Sequence, residues 1–213
     1  MGRKGSYKVG VLALQGAFAK HIAMLQQLGA EGIEIRKPEQ LEECDALIIP
    51  GGESTTMMKQ IEFIRLAPAL RRFAATKPLF GTCAGLILMS KEIIADNMIP
   101  FGLLEVTVER NAFGRQAESF REMIEVYLNP GKPQPFPAVF IRAPRIKSCS
   151  PKVKVLASYQ GEPILVLQDN FLGATFHPEL SEDSSIHRFF LELIRKAHCQ
   201  TSIDIYPRGS SWG

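Results

Sequence analysis

The chain of 213 residues is poor in the features that would tie it to metal, membrane or nucleic acid. Its four cysteines, Cys44, Cys83, Cys149 and Cys199, form no C-x-x-C pair, and with the four histidines they give no spacing suited to zinc. Scattered thiols of this kind suit a reducing compartment, so a cytoplasmic location and no metal are expected. No basic block is present: Lys+Arg number 25 against Asp+Glu 22, interspersed, for a net charge of +3. Nothing there would track a phosphate backbone, and nucleic acid is not an expected partner. No run approaches the roughly 20 apolar residues of a membrane span, and no internal repeat or low-complexity segment occurs. Two stretches near the start imitate targeting signals. "MGRKGS" matches a loose myristoylation pattern, and "RKGSYKVGVLALQGAFA" has the basic and apolar parts of a secretory signal. Gln15-Gly16 interrupts that apolar part and an amphipathic helix pattern follows, so neither is read as a working signal.

What is present is an ordinary globular composition, 46% hydrophobic and 22% charged, enough for one domain over residues 1–213. Its core is expected over about 7–200, with a solvated tail over 201–213. The first half alternates apolar runs with helical patterns. "KVGVLAL" (8–14) reads as a strand covered on both faces, and "GIEIR" (32–36), "DALIIP" (45–50) and the apolar stub "KPLF" (77–80) as the strands that follow. Helix patterns follow the first run, with Phe18, Ile22, Leu25 and Leu28 on one face and Gly29 as a stop, and cover "APALRRFAAT" (67–76). This rhythm implies parallel strands joined by right-handed crossovers. From "LLEVTVERN" onward, strands dominate: "FREMIEVYL", "PAVFIRA", "VKVLASY", "PILVLQ" and "FLGATFHP", with turns at 129–131 and 161–163. A last amphipathic helix covers about 184–197. The fold class is α/β, a mostly parallel open sheet flanked by helices, with an antiparallel extension in the second half.

In such a sheet ligands sit beyond the carboxyl ends of the strands, and three polar groups fall there: Gln15-Gly16, "GGEST" (51–55) and "GTCAG" (81–85). Gly81 and Gly85 allow a tight strand-to-helix elbow with Cys83 in the central place, projected from the sheet at a helix start that favours thiolate. Alternatively Cys83 is a small buried hydrophobe. In "FHPEL" (176–180) His177 and Glu179 are two apart, so on an extended backbone both leave one face, as a general base and its orienting carboxylate require. Backbone N–H groups of Gly51, Gly52 and Ala84 can face a developing oxyanion. The plainer reading of "PGGEST" is a glycine turn capped by Ser54 or Thr55 at a helix start, and both readings can hold together.

The combined set resembles the triad-type (class I, flavodoxin-like) glutamine amidotransferases. More closely, "GVLALQGA", "PGGEST", "GTCAG", "VERNAFGRQ", "FIRAP" and "FHPEL" together are similar to the glutaminase subunits of pyridoxal 5′-phosphate synthase, from about the tenth residue to the final helix. The resemblance implies a single glutaminase domain with Cys83 as nucleophile, His177 as base and Glu179 as third member. It implies Gly52 and Ala84 as oxyanion donors, and Gly52, Glu53, Ser54, Arg110, Ile141 and Arg142 as substrate-binding residues. Gln15 would sit at the mouth and couple to the partner. The implied reaction is hydrolysis of L-glutamine to glutamate and ammonia through a thioester. The ammonia would pass to a synthase subunit of a hetero-oligomeric complex that makes pyridoxal 5′-phosphate, and this chain would need no cofactor or metal. His21, His187 and His198, on expected helices, read as structural or solvated. Two rivals remain: a γ-glutamyl or peptide hydrolase on the same elbow, and a flavodoxin-like binding module with Cys83 inert.

Overall fold

The structure is a computed structural model that describes residues 6–110, 119–129 and 131–204. Four of the expected runs become the strands β1 (Lys8–Leu12), β2 (Glu31–Ile35), β3 (Ala46–Ile49) and β4 (Leu79–Thr82). Each pairs in parallel with its neighbours. The helices α1 (Phe18–Gln27), α2 (Ser54–Phe63) and α3 (Ala67–Ala74) connect them, and α4 (Ala84–Met89) follows β4 directly. Beyond α4 come the short strands β5 (Ser90–Ile93), β6 (Leu104–Glu109) and β9 (Arg145–Cys149), which form a small sheet of their own. A two-stranded ribbon, β7 (Ser119–Asn129) with β8 (Lys132–Ile141), stands apart from it. The chain then returns to the main sheet as β10 (Lys154–Tyr159), β11 (Glu162–Gln168) and β12 (Phe171–Ala174), and ends in α5 (Ser185–Asp204).

Among the described residues the main sheet has the order β10-β11-β12-β4-β3-β1-β2. The expected fold class holds, with one difference that matters for the site. The "FLGATFHP" run does not stay in the antiparallel extension: β12 lies parallel beside β4, with Ala174 opposite Thr82, while β10 and β11 are antiparallel additions at the edge. That placement carries the residues after β12 to the carboxyl end of β4. From β1 the chain runs to β2 on one side and then to β3 on the other, so the strand order reverses between β1 and β3. A crevice opens at such a point.

The sheet separates two cores. One packs Val9, Val11, Ile48 and Phe80 against α1, α5 and the ribbon, through Phe136, Phe140, Phe176 and Phe190. The other packs Leu47, Ile49 and Leu79 against α2, α3, α4 and the small sheet. Strands buried on both faces must be apolar at nearly every position, which is why β3 reads "ALII". The ribbon instead alternates, with Ile124, Val126 and Leu128 buried and the residues between them exposed. Pro133, Pro135 and Pro137 also alternate, so their missing N–H groups share one edge of β8, turned away from β7. No helix among the described residues is long and apolar enough to cross a membrane.

Candidate active site

Three loops at the carboxyl ends of β1, β3 and β4 meet, and glycine is what lets them. A Cβ on Gly16 would run into the Gly51 carbonyl, and one on Gly85 into the Ile49 carbonyl. A Cβ on Gly81 would lie 2.7 Å from the carbonyl carbon of Gly85. The elbow therefore packs backbone against backbone. Cys83 sits at its apex with φ 48° and ψ −105°, a left-handed conformation that a residue with a side chain holds only when its surroundings impose it. Here they do: Cys83 N–H donates to the Ala174 carbonyl at 2.8 Å, and α4 begins at the next residue. The thiol is 6% exposed yet lines the cavity, so the buried and the reactive readings of Cys83 describe one position.

His177 follows β12 and lines the same cavity as Cys83, whose Sγ donates to the Ile141 carbonyl at 3.8 Å. The His177 N–H donates to the Val139 carbonyl at 2.8 Å, on the edge of β8 that the prolines leave open, which ties the ribbon to the site. Nδ1 of the ring pairs with Oε1 of Glu179 at 2.7 Å. The expectation of an extended backbone here is corrected: Pro178–Leu180 form a 3-10 turn with His177 as its N-cap. Pro178, with its fixed φ, opens the turn, and the carboxylate reaches the imidazole by folding back rather than by sharing a strand face. Burial opposes the imidazolium, but the neighbouring Cys83 and Glu179 prevail, raising His177 to about 10. Burial likewise opposes the charge on Glu179, yet the histidines beside it, His21 and His177, hold its carboxyl below the usual range. The imidazole lies over Gly51, where a Cβ would strike it, so the "GGEST" loop also fixes the ring.

The cap of α2 differs from expectation. Glu53, not Ser54 or Thr55, is the N-cap, because its longer carboxylate takes the N–H groups of both Thr55 (3.0 Å) and Thr56 (2.7 Å) and the Thr56 hydroxyl. The Thr56 hydroxyl chiefly, with those N–H groups, outweighs partial burial and lowers Glu53 to about 2. Gln15 clamps the same loop: its Nε2 donates to the Glu53 carbonyl at 2.8 Å and its Oε1 accepts from Glu53 N–H at 3.3 Å. The side chain lies across Gly52, so Gln15 braces the loop from behind and is not among the cavity-lining residues. Arg110, just past β6, reaches Asp96 at 2.6 Å and Glu53 at 3.5 Å. Asp96 had no signal in the sequence; it follows a short strand that the apolar pattern does not announce.

A cavity of about 230 Å³ lies among Gly51, Gly52, Glu53, Cys83, Arg110 and His177. Ser54, Ile141 and Arg142 line it as well, while Ala84 lies beneath as the first residue of α4. Arg142 is exposed and left-handed, φ 43°. All the expected site residues are thus described. The residues 111–118, which include most of "VERNAFGRQ", and Pro130 of the expected turn lie outside the described residues. Sequence reasoning reads His21 and His187 as structural or solvated; both are buried, His21 facing Glu179 and His187 facing His21. Their signal was burial on a helix face, which is also that of any core histidine. His198 pairs with Asp45 near the opposite end of the sheet, as a structural residue would.

A parallel α/β sheet with a cysteine on a strand-to-helix elbow, backed by a histidine and a carboxylate, defines a class of cysteine-dependent hydrolases. Residues 11–196 match the SNO glutamine amidotransferase family, and the chain belongs to it. It is 46% identical over 190 residues to the pyridoxal 5′-phosphate synthase subunit PdxT of Thermosipho africanus, spanning 89% of this chain and 100% of that protein. It is 49% identical over 187 residues to the subunit of the same name from Solibacter usitatus, spanning 86% and 97%. A crystal structure of a glutamine amidotransferase superposes with a TM-score of 0.82 at 48% identity, covering 88% of this chain and 98% of that one.

Proposed function

We propose that the chain is the glutaminase subunit of a pyridoxal 5′-phosphate synthase, hydrolysing L-glutamine to glutamate and ammonia. The observation that carries this is that the elbow thiol of Cys83 and His177 line one cavity of amino-acid size, with His177 paired to Glu179 at 2.7 Å. With the Cys83 proton on His177, the sulfur attacks the side-chain carbonyl carbon of glutamine and forms a tetrahedral oxyanion. The N–H groups of Gly52 and Ala84 receive that oxyanion. Its collapse breaks the carbon–nitrogen bond, His177 gives its proton to the leaving nitrogen, and ammonia departs to leave a γ-glutamyl thioester. Water, deprotonated by His177, then hydrolyses the thioester to glutamate and restores the thiol. Glu179 fixes the tautomer of His177 and stabilises its cation throughout.

Glutamine also carries an ammonium and a carboxylate. Glu53 meets the first and Arg110 with Arg142 the second, while Ser54 and Ile141 shape the remaining wall. The ammonia passes to a synthase subunit docked in a hetero-oligomeric complex, and Gln15, holding the oxyanion loop from behind, is where docking is felt. The test is acid quench of the enzyme during turnover, followed by intact-mass and peptide analysis. A γ-glutamyl adduct on Cys83 is expected. Turnover with no adduct there, or an adduct on another cysteine, contradicts the reading.

A further inference from the structure

Behind the triad lies a buried polar chain that takes no direct part in the reaction. Oε2 of Glu179 has no formed hydrogen bond among the described residues and faces Nε2 of His21, on α1, at 3.3 Å. Nδ1 of His21 meets Nε2 of His187, on α5, at 2.9 Å. Nδ1 of His187 is buried and has no partner among the described residues. Both histidines are fully buried and edged by Phe80 of β4; among the described residues the Thr82 hydroxyl, 3.5 Å from Nε2, is the other polar group beside His21.

The two ends of this chain fix where its protons sit. At one end is a carboxylate oxygen, which accepts only, so His21 must present an N–H at Nε2. Its Nδ1 is then a lone pair, and His187 must supply the N–H at Nε2. At the other end Nδ1 of His187 is left bare. A buried bare acceptor is tolerated more readily than an orphaned buried N–H. The opposite register would aim a lone pair at the carboxylate and strand a proton at the far end. Burial also keeps both rings neutral: it lowers His21, against the pull of Glu179, and brings His187 down to about 3. A neutral ring can donate through only one nitrogen, so the order is unique.

We propose that His21 and His187 are positioning residues of the triad, a one-way line of N–H groups that keeps the Glu179 carboxylate ionised and turned toward His177. The proposal rests on the reading of Cys83, His177 and Glu179 as the triad. The line joins residues 166 apart in the chain, so α1, α5 and the turn after β12 must all be docked before the carboxylate is fully held. The charged and titratable groups facing His21 are Glu179 and, beyond it, His177 from the 3-10 turn, and His187 from α5; β4 contributes only Thr82 and Phe80.

The test compares His21→Leu and His21→Gln in the full chain with its synthase partner, alongside Glu179→Gln and Cys83→Ala. His21→Leu is expected to lower kcat about tenfold or more, leave KM for glutamine unchanged and move the acid limb of the kcat/KM profile to higher pH, since a carboxylate stripped of a buried donor is protonated sooner. His21→Gln supplies an amide N–H near Nε2 and a carbonyl for His187, and is expected to recover most of the rate. A folded His21→Leu with normal kcat and pH profile overturns the line, as does a His21→Gln no better than His21→Leu. If Cys83→Ala or Glu179→Gln also keeps turnover, the triad itself fails and the line with it; if those two are inactive while His21→Leu is normal, the line alone fails. Should His21→Leu not fold, ¹⁵N imidazole shifts of the unaltered protein decide the matter. Neutral Nε2–H tautomers for both His21 and His187 at about pH 6 to 8 support the line, and an Nδ1–H or a cation at either overturns it.

Discussion

At the scale of single residues, the titration of the histidines sets how the protein responds to pH. His177 is raised to about 10 from 6.5, so it adds stability that is full below pH 6.5 and lost as pH rises through about 10. His187 is lowered to about 3, so its contribution has the opposite sense: present above 6.5 and lost as pH falls toward about 3. The histidine contribution to thermal stability is therefore greatest near pH 6.5. In melting curves across pH, His177→Gln is expected to flatten the alkaline limb and His187→Phe the acid limb; a variant that lowers Tm equally at every pH would contradict that assignment. Gly51 is a second residue with a specific duty, since a Cβ there strikes the His177 ring, which Glu179 holds in place. Gly51→Ala is expected to cut kcat about 10²-fold while the folded fraction in circular dichroism stays near that of the unaltered protein. Normal kcat would show that the ring has room to move.

Among the elements, α2 joins stability to the site most directly. Its N-cap, Glu53, satisfies two backbone N–H groups and at the same time faces Arg110. Glu53→Ala is expected to cost about 1 kcal/mol in denaturant unfolding, the usual value of a lost cap, and to raise KM for glutamine more than it lowers kcat. Unchanged KM would remove Glu53 from the substrate's ammonium. This element also marks where the sequence was hard to read. The glycine turn was plain, but the cap was placed on Ser54 or Thr55 because short hydroxyl side chains are the common caps, and a glutamate reaching two N–H groups leaves no pattern. The strands β5 and β9 went unread for a related reason. "SKEI" and "RIKSC" are half polar, and it is their pairing with β6 that makes them strands. By contrast, β1, β3 and β4 were legible because burial on both faces demands an unbroken apolar run.

Over the whole molecule, the elbow and the His-x-Glu pair were readable as chemistry, but their meeting depends on β12 entering the main sheet beside β4, which no local pattern specifies. The same topology brings α1 and α5 behind Glu179, so the line through His21 and His187 could be seen only once the fold was in hand. The fold thus presents a crevice at the reversal between β1 and β3, fed by loops that the glycines hold in backbone contact. The most direct test of the central claim is glutamate release from L-glutamine by the purified chain, alone and with a synthase subunit, with Cys83→Ala in parallel. Turnover that rises with the partner and vanishes in Cys83→Ala is the expected result. No turnover even with the partner, or turnover that survives the loss of the thiol, would contradict the account.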